Sequence, residues 1–260
     1  MNTPKKITTL AVMLLALFMT SCSVEDICTS GQGGVVDSTL VVPNFTGIDL
    51  QMDGNVFLTQ GGEASVRVVG QENIIDKLKL DVSNQVWEID LQGCARNYET
   101  LEFYITIPEI DYLRVSGSGS IAADSILTVD DVEVLLTGSG NISLPLNADF
   151  VYTKITGSGD IDLQAAIATQ MESQITGSGN YTFMGTVPTH FTEIVGSGNV
   201  NAFELQTAKT EVVISGAGDA QVSADDELKV TITGSGDVSY RGTPSLDLRV
   251  TGSGRVIDAN

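Results

Sequence analysis

Six side chains recur in one position of a repeat and have the chemistry of a candidate site: Asn141, Asp160, Asn180, Asn199, Asp219 and Asp237, each three residues after a glycine. If the repeats stack, carboxylates on neighbouring turns, such as Asp219 and Asp237, would stand about 5 Å apart. That is near the separation used by retaining glycosidases, and a line of acids can recruit calcium. Asn and Asp also suit a turn that follows glycine, and the spacing differs from that of nine-residue calcium β-rolls. Turn chemistry therefore ranks first, with the column kept as a candidate polar binding surface. The only histidine, His190, stands beside Pro188 and Thr189 and is expected in a turn. A Ser–His–acid triad would need it, but no GxSxG elbow accompanies it. No catalytic residue is assigned.

The three cysteines divide by context. Lys5 and Lys6 precede the apolar run 10–19, which is too short to span a bilayer comfortably. Met19-Thr20-Ser21-Cys22 then resembles a bacterial lipobox, which makes Cys22 the lipidation site and 1–21 the signal peptide. Ser23, Val24, Glu25 and Asp26 resemble the acidic export signal of surface lipoproteins in Bacteroidota, and 22–42, rich in Gly, Ser and Thr, read as a tether. The alternative is an ordinary secretory signal followed by an acidic linker. An oxidising compartment permits a bridge between Cys28 and Cys94, although sequence alone leaves their pairing open. No CxxC or Cys/His spacing points to a metal site, and no cofactor is expected.

What positions the Asn/Asp column is a repeat. Gly-Ser-Gly or Gly-Ala-Gly recurs with its first glycine at Gly117, Gly138, Gly157, Gly177, Gly196, Gly216, Gly234 and Gly252, a period of about 19 residues. Two positions earlier stand Val115, Leu136, Ile155, Ile175, Ile194, Ile214, Ile232 and Val250. Four positions after it stand Ile121, Ile142, Ile161, Tyr181, Val200, Ala220, Val238 and Val256. These offsets share one parity, so in an extended chain they face one side, the interior. The glycines share that parity and mark a corner where no inward side chain fits or where positive φ is required. The pattern predicts an all-β, right-handed parallel β-helix over 116–260. The section 43–115 alternates as longer strands, Phe45–Leu50, Val56–Gln60, Ser65–Val69, Leu78–Val82, Val86–Leu91 and Leu101–Ile107, with a short helical turn at 73–78, and is expected to be a broader β-rich cap at one end.

The lipobox, the Phe45-Thr46-Gly47-Ile48-Asp49-Leu50 opening and strings such as Gly138-Ser139-Gly140-Asn141-Ile142 and Gly157-Ser158-Gly159-Asp160-Ile161 resemble the family called putative auto-transporter adhesin, head GIN domain. The likeness covers about residues 45–255. It implies a β-helical fold and an inferred role in adhesion, and it defines no catalytic residues. Arg255 replaces Asn/Asp in the last repeat and Asp258 enters an inner column, which suits a frayed end.

A net charge of −20 argues against a nucleic-acid or anionic-membrane face. The expected function is that of a non-catalytic, adhesin-like outer-membrane lipoprotein, exposed at the cell surface or else periplasmic, whose rigid polar face contacts an extracellular glycan or protein. Its only membrane contact would be the N-terminal lipid. The alternatives are an architectural envelope protein without a specific ligand, or a β-helical polysaccharide-active enzyme. The short, even coils and only 13 scattered Lys and Arg weigh against the enzyme.

Overall fold

A computed structural model describes residues 28–260; the signal segment, the acidic export residues and Cys22 lie outside the described residues. The chain enters through β1 (Cys28–Ser30) and β2 (Val35–Leu40) and makes a coil from β3 (Gly47–Leu50) and β4 (Gly54–Gln60). It then leaves the stack through β5 (Ser65–Gln71) and the single-turn helix α1 (Glu72–Ile75). It returns through β6 (Val82–Ser83), β7 (Val86–Ile89), β8 (Cys94–Arg96) and β9 (Leu101–Ile107). This return closes a second coil beneath the first, because β7 pairs in parallel with β3 and β9 with β4.

Next, β10 (Tyr112–Val115) and β11 (Ser120–Ala123) cross to the opposite side of β3 and β4. From there each coil lies on its predecessor. The sequence runs through β12 (Leu127–Thr128), β13 (Asp131–Gly138), β14 (Asn141–Gly157), β15 (Asp160–Gly177), β16 (Asn180–Gly196) and β17 (Asn199–Gly216). It ends with β18 (Ala220–Ser223), β19 (Glu227–Gly234), β20 (Val238–Arg241), β21 (Ser245–Gly252) and β22 (Val256–Asp258). The chain is thus the expected parallel β-solenoid. Its register sets Gly138 beside Gly157, then Gly177, Gly196, Gly216, Gly234 and Gly252.

The corner explains the glycines. Gly157 has φ +140°, and a Cβ there would lie 2.3 Å from the carbonyl oxygen of Gly138 one coil below. At Gly159 the added Cβ would lie 2.1 Å from the oxygen of Gly140. Backbone rests on backbone, which only a residue without a side chain permits. Along each coil, alternate residues then point inward. Val115, Leu136, Ile155, Ile175, Ile194, Ile214 and Ile232 are all buried in one continuous core. Val250, in the same column, is 43% exposed, because no described residue packs over the last coil.

The structure corrects several expectations. Residues 28–40 are not tether: β2 pairs antiparallel with β5, β1 pairs with β8, and Cys28 and Cys94 are joined in a disulfide. Polar side chains hold this Gly/Ser-rich segment. The amide of Asn73 donates to the Ser30 carbonyl (2.9 Å), and Gln32 N–H donates to Asn73 Oδ1 (3.0 Å). The helical turn begins earlier than expected, at Glu72, and no strand spans 78–82; Leu78 makes only an isolated bridge to Leu91. Residue 115 marks a change of sequence pattern but no break in the stack, since β10 pairs with β3 on one side and β13 on the other.

Candidate functional site

The Asn/Asp column forms one line on the coil just past the glycine corner, and neighbouring coils engage its oxygens. Asp160 Oδ1 accepts the backbone N–H of Asn180 (3.1 Å) and its Nδ2 (2.8 Å). Asn180 Oδ1 accepts from Asn199 Nδ2 (2.9 Å), and Asn199 Oδ1 from the N–H of Asp219 (3.1 Å). Asp219 Oδ1 in turn accepts the N–H of Asp237 (2.8 Å). Asp237 takes the N–H of Arg255 at 2.9 Å and pairs with its guanidinium, which holds the carboxyl below the usual carboxylate range. Asn141 stands exposed at the start of the line. The column is therefore a brace between coils: Asp160, Asn199, Asp219 and Asp237 each accept a corner N–H of the next turn, and Asn180 accepts the side-chain amide of Asn199. Asp219 and Asp237 do not face each other as a free acid pair. Among the described residues no group of three or more His, Cys, Asp or Glu side chains is placed to hold a metal ion.

His190 is not in a turn. It lies within β16, and the bend falls at Pro188, where β16 and β17 pair at Val187 and again at Thr189. His190 has the parity of Ile194, so its ring points into the core and is 1% exposed. Its Nε2 lies 3.1 Å from Ser173 Oγ, whose hydroxyl also donates to Thr192 Oγ1 at 2.8 Å. The geometry is that of a nucleophile and base, but Ser173 and Thr192 are fully buried as well. Burial without a charged partner pushes the imidazole down to about 3, so it is neutral. The pair sits under the Phe183 ring, edge to face with His190 at 5.5 Å, and forms a buried polar patch inside the stack in which His190 Nδ1 has no hydrogen-bond partner among the described residues.

Sequence reasoning missed the outer face of the sheet formed by β10, β13 and the C-terminal halves of β14 to β17. Five residues before each corner glycine, the register places Tyr112 beside Glu133, Glu133 beside Tyr152, Tyr152 beside Glu172, Glu172 beside Phe191 and Phe191 beside Glu211. Aromatic and acid alternate on six successive coils, all half-buried, so aromatic rings recur every second coil, about 10 Å apart. Burial raises the Tyr112 and Tyr152 phenols, which keeps them neutral, and Tyr152 Oη donates to Gln174 Oε1 at 3.2 Å. The signal was available in the repeat alignment. It lay at an offset of odd parity, away from the inner columns and the corner. Half-buried rings interleaved with carboxylate acceptors can hold an extended ligand that is apolar on one side and hydroxylated at its edge.

A family model described as putative auto-transporter adhesin, head GIN domain, matches residues 44–244. A solved structure of a putative lipid binding protein from Parabacteroides distasonis superposes with a TM-score of 0.83 at 23% identity, covering 88% of this chain and 99% of that one. A putative adhesin from Parabacteroides merdae gives 0.83 at 20% identity, covering 89% and 100%. One from Bacteroides fragilis gives 0.66 at 22%, covering 87% and 98%. At these identities the likeness shows the fold. No curated protein matches the chain, and no helix among the described residues is long and apolar enough to cross a membrane.

Proposed function

The chain belongs to the putative auto-transporter adhesin, head GIN domain family, and from that membership we propose that it is a non-catalytic, adhesin-like cell-envelope lipoprotein that binds an extended extracellular glycan. The observation that carries the reading is the ladder Tyr112, Glu133, Tyr152, Glu172, Phe191 and Glu211 on the outer face of one parallel sheet. Sugar rings present apolar C–H faces to aromatic rings and hydroxyls to carboxylates, and a rigid sheet loses little conformational freedom on binding. The non-catalytic part rests on the engagement of the Asn/Asp brace between coils and on the burial of His190 and Ser173 away from any substrate. The lipobox at Cys22 supports anchoring in the outer membrane, with the acidic residues after it favouring the cell surface.

The test is a glycan array probed with the purified protein and with a Tyr152→Ala/Phe191→Ala variant. Binding to a polysaccharide class that falls at least tenfold in the variant is expected. Equal binding by both proteins would overturn the ladder as the site, and binding only on matrix-protein panels would replace glycan by protein. Protease shaving of intact cells checks placement: early loss is expected, and protection until lysis would place the protein in the periplasm.

A second reading rests on a groove of about 840 Å³ at the N-terminal end, lined by Leu40, Val42, Pro43, Phe45, Val66 and Ile107 among others. The similar Parabacteroides distasonis structure is described as a putative lipid binding protein, and the apolar part of this lining fits an acyl chain. Displacement of a fluorescent fatty acid, abolished by Val42→Asp, checks it.

A further inference from the structure

The last coil differs from every other coil. Leu246, Leu248 and Val250 occupy inner columns that are buried in the coil before, yet they are 45%, 44% and 43% exposed. Among the described residues, nothing covers them or the edge of β21. Ser245 donates its N–H back to Asp226, and alternate residues of a strand turn their backbone groups to opposite edges. The N–H and C=O groups of Leu246, Leu248 and Val250 therefore point away from the stack, as a sheet edge ready to pair. At the opposite end of the solenoid β2 and β6 run antiparallel to the strands they pair with, so β21 would not meet there the parallel register it has with β19.

Within β21, residues 245–251, Ser-Leu-Asp-Leu-Arg-Val-Thr, are self-complementary when run antiparallel. Centred on Leu248, Asp247 faces Arg249 of the partner subunit and Arg249 faces the partner's Asp247. Leu246 faces Val250 of the partner subunit, and Leu248 faces the partner's Leu248. The aliphatic side chains then lie on one face and the charges on the other, as in an isologous two-fold contact. Residues 245–260 carry two acids (Asp247, Asp258) and two bases (Arg249, Arg255), so this end is neutral in a chain of net charge −20 and lacks the repulsion present elsewhere. We propose that two copies of the chain join through their last coils, with β21 pairing antiparallel to the partner's β21 about a two-fold axis at Leu248, to form one double-length rod.

Two measurements on the full chain in detergent test the proposal. Under mild oxidation, Leu248→Cys should give a disulfide-linked dimer, while Ser158→Cys, on an exposed corner several coils away, should not. In sedimentation velocity, Asp247→Arg or Arg249→Asp alone should weaken association about tenfold or more, since like charges then face each other twice across the axis. The double variant, Asp247→Arg with Arg249→Asp, should restore it to within a few-fold of the parent. A parent protein that sediments as a monomer at its highest soluble concentration would overturn the proposal. So would cross-linking that is equal at both cysteines, or a double variant no better than the single ones. Unchanged circular dichroism in each variant shows that these readouts report association and not folding.

Discussion

The cap and the stack are built from the same parallel strands but hold together in different ways. In the cap, Trp87 lies against Phe45 and Phe103 with ring centroids 5.6 and 6.1 Å away, its indole N–H donates to the Lys79 carbonyl, and the Cys28–Cys94 bridge closes the edge. The cap strands alternate, but no glycine corner recurs among them. In the stack each coil repeats one aliphatic ladder and one glycine corner, so its stability comes from neighbours of the same kind. Substitutions should therefore be local in the cap, whereas in the stack they are felt by the coils above and below.

The largest effect should come from breaking the stack at its middle. Ile175→Asp or Ile194→Asp removes a buried aliphatic and buries an unpaired carboxylate, and should cost about 5 kcal/mol or more, with loss of the cooperative thermal transition. Retained melting behaviour would refute the inner-face assignment. The glycine comparison comes next. Gly157→Ala combines positive φ with a Cβ 2.3 Å from the backbone below and should cost about 3 kcal/mol, while Gly62→Ala in the cap, with nothing within 4 Å of the added Cβ, should stay within about 0.5 kcal/mol. Chemical denaturation of both variants measures the difference.

Cys28→Ser with Cys94→Ser should destabilise the cap by about 2–4 kcal/mol, for a closed loop of 66 residues. Hydrogen exchange should rise in β1, β2 and β8 and stay unchanged in β15 to β17. His190 supplies a pH test within the stack. Its folded value, about 3, lies below the ordinary 6.5, so the unfolded chain binds the proton more tightly. Its contribution is complete above about pH 6.5 and should fall by about 1.4 kcal/mol per pH unit between there and pH 3. A His190→Leu variant should lose that part of the slope in denaturation curves taken across the same range. The smallest effect is expected at Asp160→Asn, within about 0.5 kcal/mol, because the amide oxygen can still accept from Asn180. Melting curves that separate the two proteins clearly would show that the charge itself matters to the brace.

The stack was legible because its information is local. The parity of Ile155, Gly157, Gly159 and Ile161 states the inner face, and eight repetitions leave one register. The same parity placed His190 inside, but the neighbouring Pro188 drew the reading toward a turn. The Asn/Asp column was read as turn chemistry with a binding surface in reserve, and its hydrogen bonds to the next coil supply the physical content of that turn. The cap was less legible. Its strands were recognised by alternation, with Leu101–Ile107 placed to the residue, but no local signal says that β7 and β9 fold back beneath β3 and β4. Nor does a Gly/Ser-rich segment announce that Asn73 and a disulfide will hold it against the sheet.

The sequence by itself determined the period, the corner and the inward columns, since each follows from the two-residue alternation of an extended chain and from where glycine alone fits. Only the tertiary structure decided which strands lie next to each other out of chain order, that the ladder of Tyr112, Glu133, Tyr152, Glu172, Phe191 and Glu211 forms one continuous face, and that among the described residues β21 pairs on one edge alone. Those are properties of neighbours far apart in the chain, set by long-range packing that no single repeat encodes.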